Sequence, residues 1–189
     1  LVLSGRNIFL TGKAGTGKSH VVREVMKLLN RKMNVAAIAP TGMAANHIGG
    51  QTIHSMFSLN PFGIFDPSMC NFMRKEKKRM MDKIDAFVID EVSMLRPDIL
   101  DAMFWTLEHN KCNPLHKKQL IFVGDMKQLP VVLDDNARAV LFERGYKGAT
   151  FQDAFHYKDL NVVDIELNEV LRQDDEEFIS NLNIIREGG

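Results

Sequence analysis

The sequence predicts an α/β fold in which a parallel β-sheet is covered by helices on both faces. Three observations carry this prediction. Four short runs are apolar throughout rather than alternating, as strands buried on both faces are. Segments with a helical spacing of apolar residues lie between these runs. Each run ends in glycine or polar residues, as expected where strand ends face a crevice.

Each element has its own sequence signal. The predicted strands cover residues 7–11, 35–39, 86–89, 119–123 and, near the end, 161–167. A short piece of buried helix is the alternative for each apolar run taken alone. The first predicted helix begins at residue 17. Further helices are predicted over residues 42–48, 97–109 and 178–186, the last after an acidic start at 174–177. Residues 61–67 are predicted to form a structured surface loop. The basic run 74–79 is predicted to end a helix, with a solvated face as its ordinary role.

Composition narrows the possible functions only a little. The 189 residues suit one domain, and 24 basic against 24 acidic residues leave no net charge to favour a nucleic-acid or membrane partner in general. Cys70 and Cys112 are far apart, which argues against a disulfide framework or a structural zinc site and favours a reducing compartment such as the cytoplasm. No stretch approaches the roughly 18 apolar residues of a membrane span, so no membrane partner is expected.

The segment after the first strand matches the phosphate-binding pattern G-x-x-x-x-G-K-[ST]. Its glycines let backbone N–H groups point at a phosphate, and the following helix adds the positive end of its dipole. Lys18 is predicted to reach the β- and γ-phosphates of ATP, and the Ser19 hydroxyl to bind Mg²⁺. The predicted nucleotide-binding residues are Gly12, Lys13, Ala14, Gly15, Thr16, Gly17, Lys18 and Ser19.

Two further strand ends carry polar groups toward the same crevice. Asp90 and Glu91 follow the strand 86–89, which we expect to neighbour the first strand. Asp90 is predicted to hold Mg²⁺, and Glu91 to act as the base that orients or deprotonates the attacking water. Gln128, in the turn after the strand 119–123, is predicted to sense the γ-phosphate. A plain tight turn is the alternative at both places when each is taken alone.

Six motifs in order resemble the PIF family of superfamily-one DNA helicases, close to the RecD-like group. They are the phosphate loop, APTGMAA (39–45), TIHSMF (52–57), VIDEVSML (88–95), FVGDMKQLP (122–130) and ELNEVLRQ (166–173). Residues 93–95 and 98–101 also resemble the signature region that separates this family from more distant helicases. The resemblance extends over nearly the whole chain.

This resemblance implies a single RecA-like ATPase domain over residues 1–189, the first motor domain of a helicase. It implies ATP-driven movement 5′ to 3′ on single-stranded DNA, unwinding at duplex junctions, and roles in repair, recombination and telomere maintenance. Arg172 would contact the nucleotide and complete the catalytic set of Lys18, Glu91 and Gln128. The candidates for DNA contact are Thr41, Thr52, His54 and Ser55; for His54, burial among apolar neighbours is an equal alternative.

The resemblance also implies what this chain lacks. A second motor domain, with its cross-cleft arginine, has no counterpart here, and the segment before the phosphate loop is too short for adenine recognition. We therefore expect a fragment that alone hydrolyses ATP very slowly, because such arginines contribute roughly 10³ to 10⁵ in rate. Its DNA affinity should be weak. A monomer is favoured, in the bacterial cytoplasm at the nucleoid or in a eukaryotic nucleus or mitochondrion.

Two alternatives come from other functional classes. A P-loop kinase would need an acceptor pocket and an arginine-rich lid, and the sequence contains neither in recognisable form. A non-catalytic module would use nucleotide as a switch and the basic run 74–79 to bind an acidic partner. Release of ADP with small phosphate acceptors tests the first alternative, and charge reversal at Lys77 and Lys78 tests the second.

Overall fold

The computed structural model describes residues 2–13, 15–128 and 131–168. Within them six strands form one sheet in which every described pair is parallel. The order across the sheet is β3-β2-β4-β5-β1-β6. The strands are β1 (Ile8–Gly12), β2 (Val35–Ala39), β3 (Gln51–Thr52), β4 (Ala86–Ile89), β5 (Gln119–Val123) and β6 (Val163–Leu167). The predicted parallel α/β fold is confirmed.

Six α-helices connect these strands, together with short 3₁₀ turns. The longest two have clear boundary signals. One starts directly after the left-handed Gly17, and the other has Pro97 at its first position and His109 in its last turn. The helices are α1 (Lys18–Asn30), α2 (Gly42–His47), α3 (Ile53–Phe57), α4 (Lys75–Lys83), α5 (Pro97–His109) and α6 (Asp135–Glu143).

The sheet is buried on both faces, which explains its uniformly apolar strands. Val88 and Ile121 belong to the cluster that contains Leu29 of α1. Phe87 and Phe122 point the other way, into the larger cluster formed with α3, α4 and α5. Successive residues of a strand alternate between faces, so both sets must be apolar when helices cover both sides. By contrast, β6 alternates half-buried and exposed residues, as an edge strand does.

Asp98, in the first turn of α5, anchors the loop 61–67. Its fully buried carboxylate accepts hydrogen bonds from the Phe65 amide at 2.7 Å and from Arg96 Nε at 2.9 Å. Arg96 Nη2 also donates to the Gly63 carbonyl at 2.7 Å, and Arg144 Nη1 donates to the Phe65 carbonyl at 2.8 Å. The loop is therefore a structured one, as predicted, and it is held by two arginines and a carboxylate.

Asp101, one turn further along α5, anchors a second distant segment. Its carboxylate is also fully buried and accepts hydrogen bonds from the backbone amides of Phe155 at 2.9 Å and His156 at 3.1 Å. The Nδ1 atom of His156 lies 2.6 Å from Asp101 Oδ1, and the imidazole ring stacks on Phe104 with centroids 4.3 Å apart. Two carboxylates within the signature-like region thus have structural partners.

The predicted elements are mostly confirmed within a residue or two. The strands 35–39, 86–89 and 119–123 and the helix 97–109 are found with the predicted boundaries. The first strand is shifted by one residue, the second helix ends one residue early, and the last strand starts two residues late. The predicted helix 178–186 and its acidic start lie outside the described residues.

Two expectations about arrangement are wrong. The strand before Asp90 does not neighbour β1, because β5 lies between β4 and β1. The basic run 74–79 begins a helix rather than ending one, since Met81, the residue that α4 buries, comes later in the chain. The run is not wholly a solvated face either, because Lys77 Nζ donates to the Ser55 carbonyl and to Ser58 Oγ, each at 2.7 Å.

Three short elements give little sequence signal. β3 has two residues and α3 has five, which is too short for a hydrophobic period to be recognised. α6 begins at an N-cap that could have been noticed, since Asp134 Oδ1 accepts a hydrogen bond from the Ala137 amide at 2.6 Å.

In the described part of the chain no helix has the length and apolar character needed to cross a bilayer.

Replacing the anchor of the loop 61–67 should destabilise the fold. Asp98→Ala leaves the Phe65 amide without its acceptor and Arg96 without its carboxylate partner, and we expect the free energy of unfolding to fall by about 3 kcal/mol. Urea unfolding followed by Trp105 fluorescence measures the change, because Trp105 stacks on Phe65 in this loop. Glu108→Ala, at an exposed carboxylate on the same helix, is the control and should cost less than about 0.5 kcal/mol. Equal losses in the two variants would contradict the anchoring role.

Candidate active site

The phosphate-loop sequence forms a tight turn between β1 and α1. A Cβ atom on Gly12 would lie 2.7 Å from Thr16 Oγ1 and 2.8 Å from the Leu167 carbonyl oxygen, so only glycine fits there. Gly17 has a left-handed φ of 81° and directly precedes α1. Thr16, buried inside the turn, donates from Oγ1 to the Lys13 carbonyl at 2.8 Å. The phosphate-loop turn therefore leads the backbone directly into the start of α1.

Lys18 bends back over this loop. Its ammonium group donates hydrogen bonds to the carbonyls of Gly12 at 2.7 Å and Lys13 at 3.0 Å. Ser19 follows in the first turn of α1 and is half-buried. The predicted cation and hydroxyl are thus both at the N-terminal end of the helix, where an anion is favoured. Ala14 lies outside the described residues.

Asp90 and Glu91 leave the sheet at the carboxyl end of β4. Asp90 is 8% exposed, and its Oδ1 accepts a hydrogen bond from the Glu91 amide at 3.0 Å. Burial raises the pKa of Asp90, while the Glu91 amide, His47 and Lys18 oppose that rise. Burial also raises the pKa of Glu91, and the charge of Asp90 adds to this effect. Both carboxylates are therefore costly to keep ionised, which is typical of functional sites.

The backbone at Glu91 is strained. Its φ of 52° places it in the left-handed region, which costs a residue with a side chain about 1–3 kcal/mol. The strain turns the chain sharply into the 3₁₀ turn Val92–Met94, and Val92 packs directly against Gly124. The turn after β4 is thereby wedged against the turn after β5.

Asp125 arranges the turn that carries Gln128. Its buried carboxylate accepts from the Lys127 amide at 3.1 Å and from Gln128 Nε2 at 3.4 Å, and its carbonyl accepts from the Gln128 amide at 3.0 Å. These contacts fold the turn into a compact unit and orient the Gln128 side chain. In the sequence Asp125 belongs only to the alternative of a plain tight turn, as a residue that satisfies backbone groups, and its carboxylate does accept a hydrogen bond from the Lys127 amide.

A cleft of about 410 Å³ brings the predicted carboxylates and the predicted glutamine together. The carboxylates of Asp90 and Glu91 line it with Gln128, although these residues follow different strands. Thr41 also lines the cleft, as does His47, which the motifs had not singled out. The ammonium group of Lys18 is close enough to both carboxylates for its charge to lower their pKa. The arrangement can hold an anion beside two carboxylates and an amide.

The candidates for DNA contact have structural partners as well. Thr41 and Thr52 are the N-caps of α2 and α3, accepting hydrogen bonds from the Ala44 and Ser55 amides at 3.2 and 3.1 Å. Burial lowers the pKa of His54, which is half-buried at the start of α3. Of these candidates only Thr41 lines the cleft. Arg172 lies outside the described residues.

Neutralising Asp90 should stabilise the protein at neutral pH. Because the folded-state pKa is raised, the protonated form favours folding, and stability falls as the pH rises through that pKa. Asp90→Asn keeps the acceptor for the Glu91 amide and should raise the free energy of unfolding at pH 7 by about 1 kcal/mol. Urea unfolding between pH 4 and 7 tests this, with the exposed Asp135→Asn as control. A gain that does not shrink toward acid pH would contradict the burial argument.

Comparison with known proteins gives consistent results. The profile of the PIF1-like helicase family matches residues 1–188. The chain is 38% identical to the ATP-dependent DNA helicase PIF1 of Saccharomyces cerevisiae, over 100% of this chain and 22% of that protein. It is 31% identical to the ATP-dependent DNA helicase Pif1 of Campylobacter jejuni, over 99% of this chain and 42% of that protein.

A solved structure agrees in fold. The Pif1 helicase from Bacteroides in complex with ADP-AlF3 and ssDNA superposes with a TM-score of 0.86 at 36% identity, over 97% of this chain and 43% of that chain. The chain thus spans less than half the length of each of these relatives. Because the family profile matches all but one of the 189 residues, the chain belongs to the PIF1-like helicase family.

Proposed function

We propose that residues 1–189 form a single RecA-like ATPase domain, the first motor domain of an ATP-driven DNA helicase. The observation that carries the proposal is that the phosphate loop, the Asp90–Glu91 pair and Gln128 follow parallel strands at one edge of the sheet, with Lys18 close enough to both carboxylates to lower their pKa. ATP is the proposed nucleotide, since the Bacteroides relative binds ADP-AlF3. A second motor domain would belong to the same full-length chain, and a monomer is the proposed state.

Within this proposal the phosphate loop binds the nucleotide through its backbone amides. Lys18 would exchange its present carbonyl partners for phosphate oxygens, which are charged and therefore form stronger hydrogen bonds. Gln128, held by Asp125, would contact the γ-phosphate. Glu91 would accept the proton of the attacking water, because burial makes its carboxylate a better base than an exposed one. Arg172, which lies outside the described residues, is proposed to contact the nucleotide.

The residues at this edge fit a magnesium ion held with the nucleotide. The described residues contain no group of three or more His, Cys, Asp or Glu side chains that could hold a metal by themselves. Mg²⁺ seldom needs such a group, because it keeps several waters and binds through one or two carboxylates plus phosphates. Asp90 and Ser19 would be its protein ligands. When bound, the ion would neutralise charge on the phosphates during transfer.

Single-stranded DNA is the proposed track for the motor. The Bacteroides relative binds ssDNA, and residues 39–45 and 52–57 of this chain carry the motifs that resemble the family's DNA-facing segments. Thr41, Thr52, His54 and Ser55 are the proposed contacts, through backbone and hydroxyl groups at the starts of α2 and α3. Movement 5′ to 3′ and unwinding at duplex junctions complete the proposal.

Removing the Lys18 ammonium should abolish nucleotide binding. Calorimetric titration of this chain with a non-hydrolysable ATP analogue and Mg²⁺ is expected to show micromolar to millimolar binding that Lys18→Ala loses. The same titration with a single-stranded oligonucleotide present tests whether DNA binds to this domain. Lys27→Ala, at an exposed position on α1, is the matched control and should bind like the unaltered chain. Equal affinity in the Lys18 and Lys27 variants would refute the nucleotide site.

Neutralising Glu91 should separate binding from hydrolysis. In the full-length protein Glu91→Gln keeps the size of the side chain but cannot accept the proton of water, so we expect ATP hydrolysis to fall by about 10² to 10⁴ in rate. The dissociation constant for the ATP analogue should change less than about threefold. Steady-state ATPase assays and titrations measure the two effects. A loss of binding as large as the loss of rate would show that Glu91 has a different role.

A further inference from the structure

His47 faces the candidate catalytic carboxylates from the side opposite the phosphate loop. It is the last residue of α2 and lines the cleft with Asp90 and Glu91. The sheet order places β2, which precedes α2, on one side of β4, whereas β5 and then β1 lie on the other. Asp90 and Glu91 therefore stand between His47 and Lys18. None of the recognised motifs assigns His47 a role.

Several acidic groups lie close together at this edge of the sheet, so a hydrogen-bond donor placed there can affect the carboxylates. The charges of Asp90 and Asp125 both lie close enough to Glu91 to raise its pKa further. Of the basic side chains near Asp90 and Glu91, Lys18 and His47 are the two that oppose the raised pKa of both carboxylates. Lys18 already donates to two carbonyls of its own loop. An imidazole offers at least one N–H donor in every protonation state, so His47 can hold a carboxylate oxygen.

The helix that carries His47 is fixed at both ends. Thr41 caps its start, accepting a hydrogen bond from the Ala44 amide at 3.2 Å. Just past its end, Gly50 runs so close to β2 that a Cβ atom there would lie 2.2 Å from the Ala37 carbonyl oxygen. The chain then enters β3, whose last residue, Thr52, caps α3. One short helix thus joins both groups of proposed DNA contacts to the catalytic edge.

We propose that His47 is a positioning residue that couples DNA bound at Thr41 and at residues 52–55 to the orientation of the Glu91 carboxylate. DNA bound at these contacts would set where this firmly held helix lies relative to the cleft, and the His47 N–H would then hold Glu91 in the orientation that accepts a proton from water. This inference rests on the proposed function of the domain as a DNA-dependent ATPase. It predicts a defect in the response to DNA rather than in nucleotide binding.

The test compares three variants of the full-length protein in steady-state ATPase assays with and without a single-stranded oligonucleotide. His47→Ala should lower the ratio of DNA-stimulated to unstimulated kcat about tenfold, the size expected for one hydrogen bond to a charged group. His47→Gln, which keeps an N–H donor, should recover most of the ratio. Asn46→Ala, at the exposed neighbour on α2, should match the unaltered protein. Dissociation constants for the ATP analogue should agree within about twofold throughout.

The outcomes separate this inference from the proposed function. Stimulation ratios that are equal in His47→Ala and Asn46→Ala would overturn the coupling role alone. A loss in His47→Ala that His47→Gln does not recover would also overturn it, because the donor would then not be the active feature. If DNA fails to stimulate the unaltered protein at all, the proposed function is overturned and the inference falls with it.

Discussion

The in-register parallel pairing of β4, β5 and β1 is the constraint on which the candidate site depends. Ile89 pairs with Phe122, and Leu10 pairs with Val123, so the three strands end at nearly the same level of the sheet. The phosphate loop, the Asp90–Glu91 pair and the Gln128 turn therefore leave the sheet along one edge. A slip of one residue in any pairing would reverse the faces of that strand and separate these groups.

This edge is less stable than the core that supports it. Asp90 and Glu91 are ionisable groups in a buried setting, and Glu91 has a strained backbone. Such features persist where the surroundings over-determine them. Here the strands beneath are almost wholly buried, and the turns after β4 and β5 touch at Val92 and Gly124. The stable sheet thus holds in place a set of groups that would not adopt this arrangement by themselves.

The parts of the fold that sequence could predict are those with local causes. The strand 86–89 is apolar throughout and ends at charged residues, and α5 starts at Pro97, so both boundaries are visible in the chain. The position of α4 relative to the basic run 74–79 could not be predicted, because a run of basic residues does not indicate where a helix begins. Of the site, the phosphate loop and Asp90–Glu91 could be placed from motifs. The positions of His47 and the anchoring by Asp98 could not, since they depend on contacts between residues distant in sequence.

Because residues 61–67 are anchored to α5, opening this loop should cost as much free energy as opening part of the core. Opening it would expose Ile64 and Phe65, both buried, and would unpair Asp98 from a backbone amide 33 residues away. Segments with such ties do not fluctuate locally, and their amide hydrogens exchange with solvent only when a larger cooperative unit opens. The Phe65 amide should therefore exchange as slowly as amides of the central strands, although it lies in a loop. The exposed Phe62 at its tip is accordingly carried by a rigid support rather than by a flexible one.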